Sequence, residues 1–322
     1  MNKRIVLIGC GNIGSRHLQS LIRFGNSVFI DIVEPDLNSK KKALSILPKN
    51  SKLPKIQWHK TVDKIEPSDL VIIATKSDQR IQIINALLKQ GHKKFLIEKM
   101  VCQSSIEYKS IIKNFKKFKA KGWVNANRRY FDSYKKIKNI FKNSKFLQIN
   151  VYLGNSGLGT ASIHFIDLFC WLTNDNQIKL NGTKLWYKIF VNKRGRKYKE
   201  FGGTIIGSNK SKSLLTITSP NDQKLLPFSI VEIFDGERHI VINEIQEKFF
   251  VINNTSKKIN INFKFGHTSN LTYKIVKDIF KTNSCELPSI EYSFYAHIEL
   301  FRIFNNHIQK ILKHKVEKCP IT

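Results

Sequence analysis

Lys3-Arg4-Ile5-Val6-Leu7-Ile8-Gly9-Cys10-Gly11-Asn12-Ile13-Gly14-Ser15-Arg16-His17-Leu18 decides the fold of this chain. Ile5 to Ile8 is a short apolar run with β-branched residues, which suits a buried parallel strand. Three glycines follow at once in G-x-G-x-x-G spacing. Leu18, Leu21 and Ile22 then recur at helical spacing until Gly25-Asn26 stops the helix. Ser27 to Val33 is a second apolar run, and it leads into Glu34, 20 residues after the third glycine. Strand, glycine turn, helix, strand and acid, in that order, form a dinucleotide-binding pattern. Gly9 permits the tight turn, Gly11 lets the backbone approach a diphosphate, and Gly14 lets the helix lie close to the strand. Asn12 and Ile13 open the helix, whose free N–H groups and positive dipole end suit phosphates. A carboxylate at Glu34 accepts hydrogen bonds from an adenine ribose and repels a 2′-phosphate, which favours NAD. Lys40, Lys41 and Lys42 nearby leave NADP open as the alternative.

The alternation continues outward from this unit. Asp69 to Ala74 reads as a strand ending in Thr75-Lys76-Ser77-Asp78, and Ile81 to Leu88 as a helix closed by Gln90-Gly91. Lys94 to Ile97 is the next strand and delivers Glu98-Lys99 at its carboxyl end. A long basic helix capped at Ser104 or Ser105 and a short strand at Gly122 to Ala126 complete a doubly wound parallel sheet over residues 1–126. Ligands of such sheets sit beyond the carboxyl ends of the strands, where Gly11, Glu34, Thr75, Glu98 and Lys99 all fall. Residues 127–322 read as a second α/β domain. β-rich runs extend from about Phe146 to Asn254, including Phe146 to Leu153, Lys184 to Val191, Gly203 to Gly207, Ser213 to Thr218 and Phe228 to Phe234. His239 to Ile242 and Lys248 to Ile252 follow, with Asp235-Gly236 as a hairpin turn. An apolar helix, Ala161 to Leu172, puts His164 and Asp167 on one face. Helices around Leu271 to Phe280 and Tyr292 to Ile311 end the chain, and the terminal one could dock back on the first domain.

Composition narrows the function classes. With 322 residues, 41% hydrophobic and 25% charged, the chain has a globular balance and room for two domains. No apolar stretch reaches the length of a membrane span, and the N-terminal run reads as a strand rather than a signal peptide, so a cytoplasmic protein is expected. Five scattered cysteines without a C-x-x-C pair argue against both zinc and a disulfide framework, and no metal is expected. A net charge of +31 invites a nucleic-acid reading. Only ten of the 55 basic residues are Arg, however, and the lysines are spread along the whole chain. That distribution fits a general compositional bias, and no nucleic-acid partner is expected. The same charge suits an anionic small molecule.

Several segments together resemble the Gfo/Idh/MocA oxidoreductases, the glucose-fructose oxidoreductase and inositol dehydrogenase family. They are Gly9 to His17, Ala74-Thr75-Lys76-Ser77, Glu98-Lys99-Met100, Val124-Asn125-Ala126-Asn127-Arg128-Arg129-Tyr130 and Ile163-His164-Phe165-Ile166-Asp167-Leu168, with Asp278-Ile279-Phe280 and Leu287-Pro288 through His297 near the end. The resemblance implies a Rossmann domain followed by an α/β domain with a large, mostly antiparallel open sheet. It implies hydride transfer between a nicotinamide and a hydroxyl or keto carbon of a sugar, inositol or nucleotide sugar. Surface-carbohydrate metabolism is a setting it suggests, with homodimers or homotetramers formed through the open sheet. It maps the family's catalytic Lys onto Lys99 and its catalytic His onto His164.

Three departures stand against that pattern. Thr160 occupies the place of the family's acid four residues before the His. Met100 replaces the proline after the Lys, so a cis bond cannot be assumed there, and Arg80 stands where a His is frequent. The expected chemistry is base catalysis by His164 with Lys99 stabilising the reacting oxygen. Asn127, Arg129, Thr160 and Asp167 are candidate substrate contacts. The competing reading is a non-catalytic dinucleotide-binding sensor or assembly protein, motivated by Thr160 and Met100.

Overall fold

The structure is a computed structural model that describes residues 2–48, 53–63, 65–222, 224–253 and 262–322. Asn254, where the β-rich span was expected to end, lies outside the described residues. The chain forms two compact units. The first takes Met1–Cys102, Ile106–Asn127 and Gly266–Glu291, and the second takes Gln103–Ser105, Arg128–Phe265 and Tyr292–Thr322.

In the first unit β1 (Lys3–Ile8), α1 (Asn12–Leu21), β2 (Val28–Val33), α2 (Leu37–Ser45), β3 (Lys55–His59) and β4 (Leu70–Ile73) follow in order. Then come α3 (Arg80–Lys89), β5 (Lys94–Ile97), α4 (Ser105–Lys117) and β6 (Lys121–Val124). The six strands pair in parallel in the order β3-β2-β1-β4-β5-β6. Ile5 to Ile8 and Leu70 to Ile73 are buried on both faces, which explains their unbroken apolar runs. Because β1 lies between β2 and β4, the winding reverses there, and the carboxyl ends of β1 and β4 flank the crevice where such sheets bind ligands.

Sequence reasoning missed α2 and β3. The first is a lysine-rich helix whose cap is Asp36, accepting from the Asn38 and Ser39 amides. The second is an edge strand, none of whose residues is fully buried.

Of residues 127–322, expected as a second domain whose terminal helix could dock back on the first, Gly266–Glu291 belong to the first unit. Its helix α7 (Thr268–Thr282, the seventh in chain order) packs on α1. Ser20 Oγ accepts from the Tyr273 amide at 2.8 Å, His17 Nδ1 meets Thr272 Oγ1 at 2.8 Å, and the Phe24 and Tyr273 rings lie 4.4 Å apart.

The second unit contains α5 (Asp132–Ile140), β7 (Gln148–Leu153), α6 (Leu158–Leu172), β8 (Lys179–Leu185), β9 (Phe190–Asn192) and β10 (Gly195–Glu200). It continues with β11 (Gly203–Ser208), β12 (Leu214–Ser219), β13 (Ser229–Phe234), β14 (Arg238–Asn243) and β15 (Lys248–Asn253). Most of the last helix, α8 (Ile290–Leu312), also belongs to it. Seven strands form one sheet in the order β15-β14-β13-β7-β12-β11-β8. The β7–β12 pair is parallel and every other pair antiparallel. Alternate residues such as Ile149, Val151, Leu215, Ile217, Val231 and Ile233 are fully buried on the face that packs against α6. The expected single strand Lys184 to Val191 is instead the end of β8 and the start of β9. The two strands belong to different sheets, because β9 leaves to pair with β10. The Asp235-Gly236 turn joins β13 to β14, with Gly236 at φ +96°, a conformation that favours glycine.

Among the described residues no helix is long and apolar enough to cross a membrane. Among the same residues no group of three or more His, Cys, Asp and Glu could hold a metal ion. The cysteines are free thiols, four of them buried.

Candidate functional site

The glycine turn between β1 and α1 has the shape a diphosphate requires. Gly9 takes φ +85° beside Thr75, whose Cγ2 would lie 3.0 Å from any added Cβ. A Cβ on Gly14 would lie 1.9 Å from the Gly9 carbonyl oxygen, so only glycine lets α1 start this close to β1. A Cβ on Gly11, the N-cap of α1, would meet nothing within 4 Å. Gly11 therefore faces open space and brings no capping side chain of its own to the first turn of α1, which includes Asn12, Ile13 and Gly14.

Glu34 leaves the end of β2 toward this turn. Its Oε2 accepts the Cys10 amide at 2.7 Å and its Oε1 the Asp36 amide at 3.0 Å. The two bonds fix the carboxylate beside the loop, and burial together with that charge pushes the Cys10 thiol up to about 12. Lys42 reaches Asn12 Oδ1 at 3.4 Å. A helix start with a glycine N-cap, an open approach over Gly11 and a fixed carboxylate 20 residues on fit a dinucleotide.

Glu98 and Lys99 stand at the carboxyl end of β5, 8% and 5% exposed. Glu98 joins a buried chain. Its Oε1 pairs with His17 Nε2 at 3.1 Å and accepts from Asn125 Nδ2, so it ties α1 to the ends of β5 and β6. Burial alone would raise the Glu98 carboxyl, but His17 and Asn125 lower it to about 2. The peptide bond between Lys99 and Met100 is cis, although no proline is present.

The reason for Arg80 appears at the same place. Its guanidinium, 2% exposed, donates to the carbonyl oxygens of Thr75, Glu98 and Met100. It thereby grips the backbone on both sides of Lys99, and it satisfies acceptors that strand ends leave open.

In the second unit Thr160, His164 and Asp167 lie on α6. Thr160 and His164 are half-buried and Asp167 is buried. Asp167 is engaged by Arg129, whose Nε and Nη2 donate to its two carboxylate oxygens at 2.9 and 2.7 Å, while the guanidinium lies 4.6 Å from the Tyr292 ring centre. Burial raises the Asp167 carboxyl, and Arg129 opposes that rise. Arg129 and Asp167 thus occupy one another. Thr160 donates its hydroxyl to Glu200 at 2.6 Å. Asn127, half-buried, closes the first unit's run just before Arg128.

Sequence reasoning did not find Glu200, or the pair formed by Arg128 and Glu244. Both acids meet their partners across dozens of residues, 41 at Gly159 and 116 at Arg128, and no local pattern announces such pairing.

Residues 3–126 match the family described as the GFO_IDH_MocA oxidoreductase family, NAD-binding Rossmann fold. No curated protein matches the chain. Solved structures share the fold over nearly the whole length. One is the WlbA dehydrogenase from Bordetella pertussis in complex with NADH and UDP-GlcNAcA, 12% identical, covering 96% of this chain and 96% of that one with a TM-score of 0.75. A second is the UDP-N-acetylglucosamine 3-dehydrogenase GnnA from Acidithiobacillus ferrooxidans, 12% identical, covering 97% and 99% with a TM-score of 0.68. A third is GenD2 from gentamicin A biosynthesis in complex with NAD, 12% identical, covering 98% and 96% with a TM-score of 0.70. At these identities the likeness is one of fold. Residues 3–126, the Rossmann domain built around the glycine turn, are thus similar to the NAD-binding domain of the Gfo/Idh/MocA oxidoreductases.

Proposed function

We propose that the chain is a cytoplasmic NAD-dependent dehydrogenase that oxidises a hydroxyl carbon, or reduces the matching keto carbon, of a nucleotide sugar. The observation that carries this reading is the open approach over Gly11 in the same unit, and at the same sheet end, as the buried Lys99. WlbA, in complex with NADH and UDP-GlcNAcA, and GnnA, a UDP-N-acetylglucosamine 3-dehydrogenase, share the fold and support this reading. The surplus of 55 basic over 24 acidic residues favours an anionic substrate of that kind.

NAD, when bound, accepts the hydride. An alcohol releases hydride from carbon only as its hydroxyl proton leaves, so a base within about 3 Å of that oxygen is needed. In this reading His164 takes the proton. Lys99 donates an N–H hydrogen bond to the same oxygen and offsets its growing negative charge, which a buried ammonium does better than one in water. Thr160 and Asn127 contact the sugar, and Arg129 and Asp167 act as a pair that orders the substrate side of α6. Glu34 selects the unphosphorylated adenine ribose.

The outer face of the seven-stranded sheet exposes Tyr152, Ile206, Leu214, Phe234, Phe250 and Ile252, and in this reading a second copy of the chain covers it as a homodimer or homotetramer.

The test mixes purified protein with NAD and a panel of UDP-hexoses, UDP-N-acetylhexosamines and their uronic acids, and follows absorbance at about 340 nm. A sedimentation mass is read from the same preparation. Turnover of at least one UDP-sugar, in an oligomer, is expected. NAD binding without turnover across the panel favours the sensor reading, and a monomer sinks the proposed assembly.

A further inference from the structure

Helix α6 has no cap of its own, because its N-cap residue is Gly157. Its cap arrives from β10. Glu200 Oε1 accepts the amides of Gly159, Thr160 (3.3 Å) and Phe201 (3.2 Å). Oε2 accepts the Thr160 hydroxyl at 2.6 Å and Asn192 Nδ2 at 3.0 Å, and Asn192 Nδ2 also reaches Thr160 Oγ1 at 2.9 Å.

Two glycines keep the space for this carboxylate. A Cβ on Gly157 would lie 2.0 Å from Glu200 Cγ, and one on Gly159 would lie 2.7 Å from Oε1. The Glu200 side chain is 4% exposed. Every group facing its two oxygens donates, which is the environment an ionised carboxylate fits. Burial raises its carboxyl, and the hydrogen bonds from Thr160, Phe201 and Gly159 oppose that rise.

A cap alone does not require this arrangement. Ser, Asn or Asp at position 157 would satisfy the same amides without burying an acid from a separate hairpin. What the long-range arrangement adds is a carboxylate at Thr160, one turn before His164. Side chains one turn apart on a helix have β-carbons about 6 Å from each other.

Of the other charged groups around α6, Arg128, 4.0 Å from the Phe165 ring centre, is paired with Glu244. Asp167 is paired with Arg129, and Lys138 donates to the Trp171 carbonyl at the far end of the helix. β12 carries no titratable side chain. On β10, Arg196 and Lys197 are exposed, Lys199 is half-buried and Tyr198 is buried. From the C-terminal segment, Cys319 stays a neutral thiol, held so by burial and by the charge of Glu200.

We propose that Glu200 is a positioning residue for His164. Through Thr160 and the first turn of α6 it places a carboxylate one turn before the imidazole and favours its protonated form. The inference rests on the reading of His164 as the base, but its test does not use turnover.

The imidazole of His164, assigned by comparison with His164→Asn, is titrated by NMR in the wild-type protein, in Glu200→Gln and in Glu200→Gln/Thr160→Asp. The isosteric Glu200→Gln keeps the shape of the cap and removes the charge. The midpoint of His164 is expected to fall by about one pH unit in that variant. It should recover by more than half of that when the added Thr160→Asp change restores a carboxylate, with thermal midpoints shifting only by a few degrees. An unchanged midpoint in Glu200→Gln overturns the proposal. So does a fall that tracks a large loss of thermal stability and is not restored by Thr160→Asp, since that is the behaviour of a structural cap. Turnover surviving in His164→Ala would instead remove the underlying assignment of the base.

Discussion

Replacing Lys99 by Ala, or His164 by Ala, is expected to lower kcat on the UDP-sugar that turns over by about 10²- to 10⁴-fold, while NADH binds as before. The two losses arise differently. Lys99 is 5% exposed at the end of β5, with its flanking carbonyls held by Arg80, and in the proposed reaction its ammonium meets the reacting oxygen from a poorly hydrated position. Ala there removes a donor that strengthens as the oxygen gains charge. His164 is half-buried on α6, and Ala there removes the proposed proton acceptor. If both residues serve one proton transfer, the double variant should be little worse than the poorer single variant, because residues that act as a unit do not contribute additively. Steady-state kinetics with NADH titrations on each variant checks this. A single variant within about threefold of wild type would remove that residue from the chemistry.

The largest effect on stability is expected at Glu244. Its side chain is fully buried and takes four hydrogen bonds: from Arg128 Nε and Nη2 at 2.8 and 2.6 Å, from the Tyr134 hydroxyl at 2.8 Å, and from Ser229 Oγ at 2.7 Å. Arg128, 8% exposed, also lies 4.0 Å from the Phe165 ring centre. Burial opposes the charge on Arg128, and Glu244 with Tyr134 more than restores it. Glu244→Ala leaves that guanidinium buried without its carboxylate and the Tyr134 and Ser229 hydroxyls without their acceptor. The expected loss is about 3–5 kcal/mol, a large part of a typical domain's stability of roughly 5–15 kcal/mol. Arg128→Met/Glu244→Leu removes both charges and should recover much of that loss. Urea unfolding of the three proteins decides it. A Glu244→Ala midpoint equal to wild type would mean that the pair does not hold this unit together.

The first unit was legible because its constraints are local. Gly9, Gly11 and Gly14 each answer a backbone requirement within a few residues, and Ile5 to Ile8 and Leu70 to Ile73 are buried on both faces, so their periodicity is unmistakable. β3 escaped notice because Lys55, Gln57 and His59 alternate with only partly buried Ile56 and Trp58, as an edge strand allows. At α2 the signal was present in Asp36, which caps the helix, but three lysines obscured any apolar face. The substitution of Met100 for proline gave no hint that its peptide bond would stay cis. In the second unit the strands were largely visible from alternation, yet β8 and β9 merged because Lys184 to Val191 contains no strong turn residue. The site residues themselves divided along the same line. Thr160, His164 and Asp167 could be named from their helix, whereas Glu200 and Glu244 act on residues distant in the chain and carry no motif.

In the proposed reading the turn around Gly11 holds the cofactor's diphosphate, and NADH binding to wild type and to Gly11→Leu tests this most directly. The leucine side chain would enter space that no protein atom occupies within 4 Å of its Cβ, so the fold and its thermal midpoint should be preserved. NADH fluorescence titration should show saturable binding to wild type and at least about a 30-fold weaker affinity for the variant, a loss of roughly 2 kcal/mol. Equal affinity in the two proteins, or no NADH binding by the wild type, would contradict it.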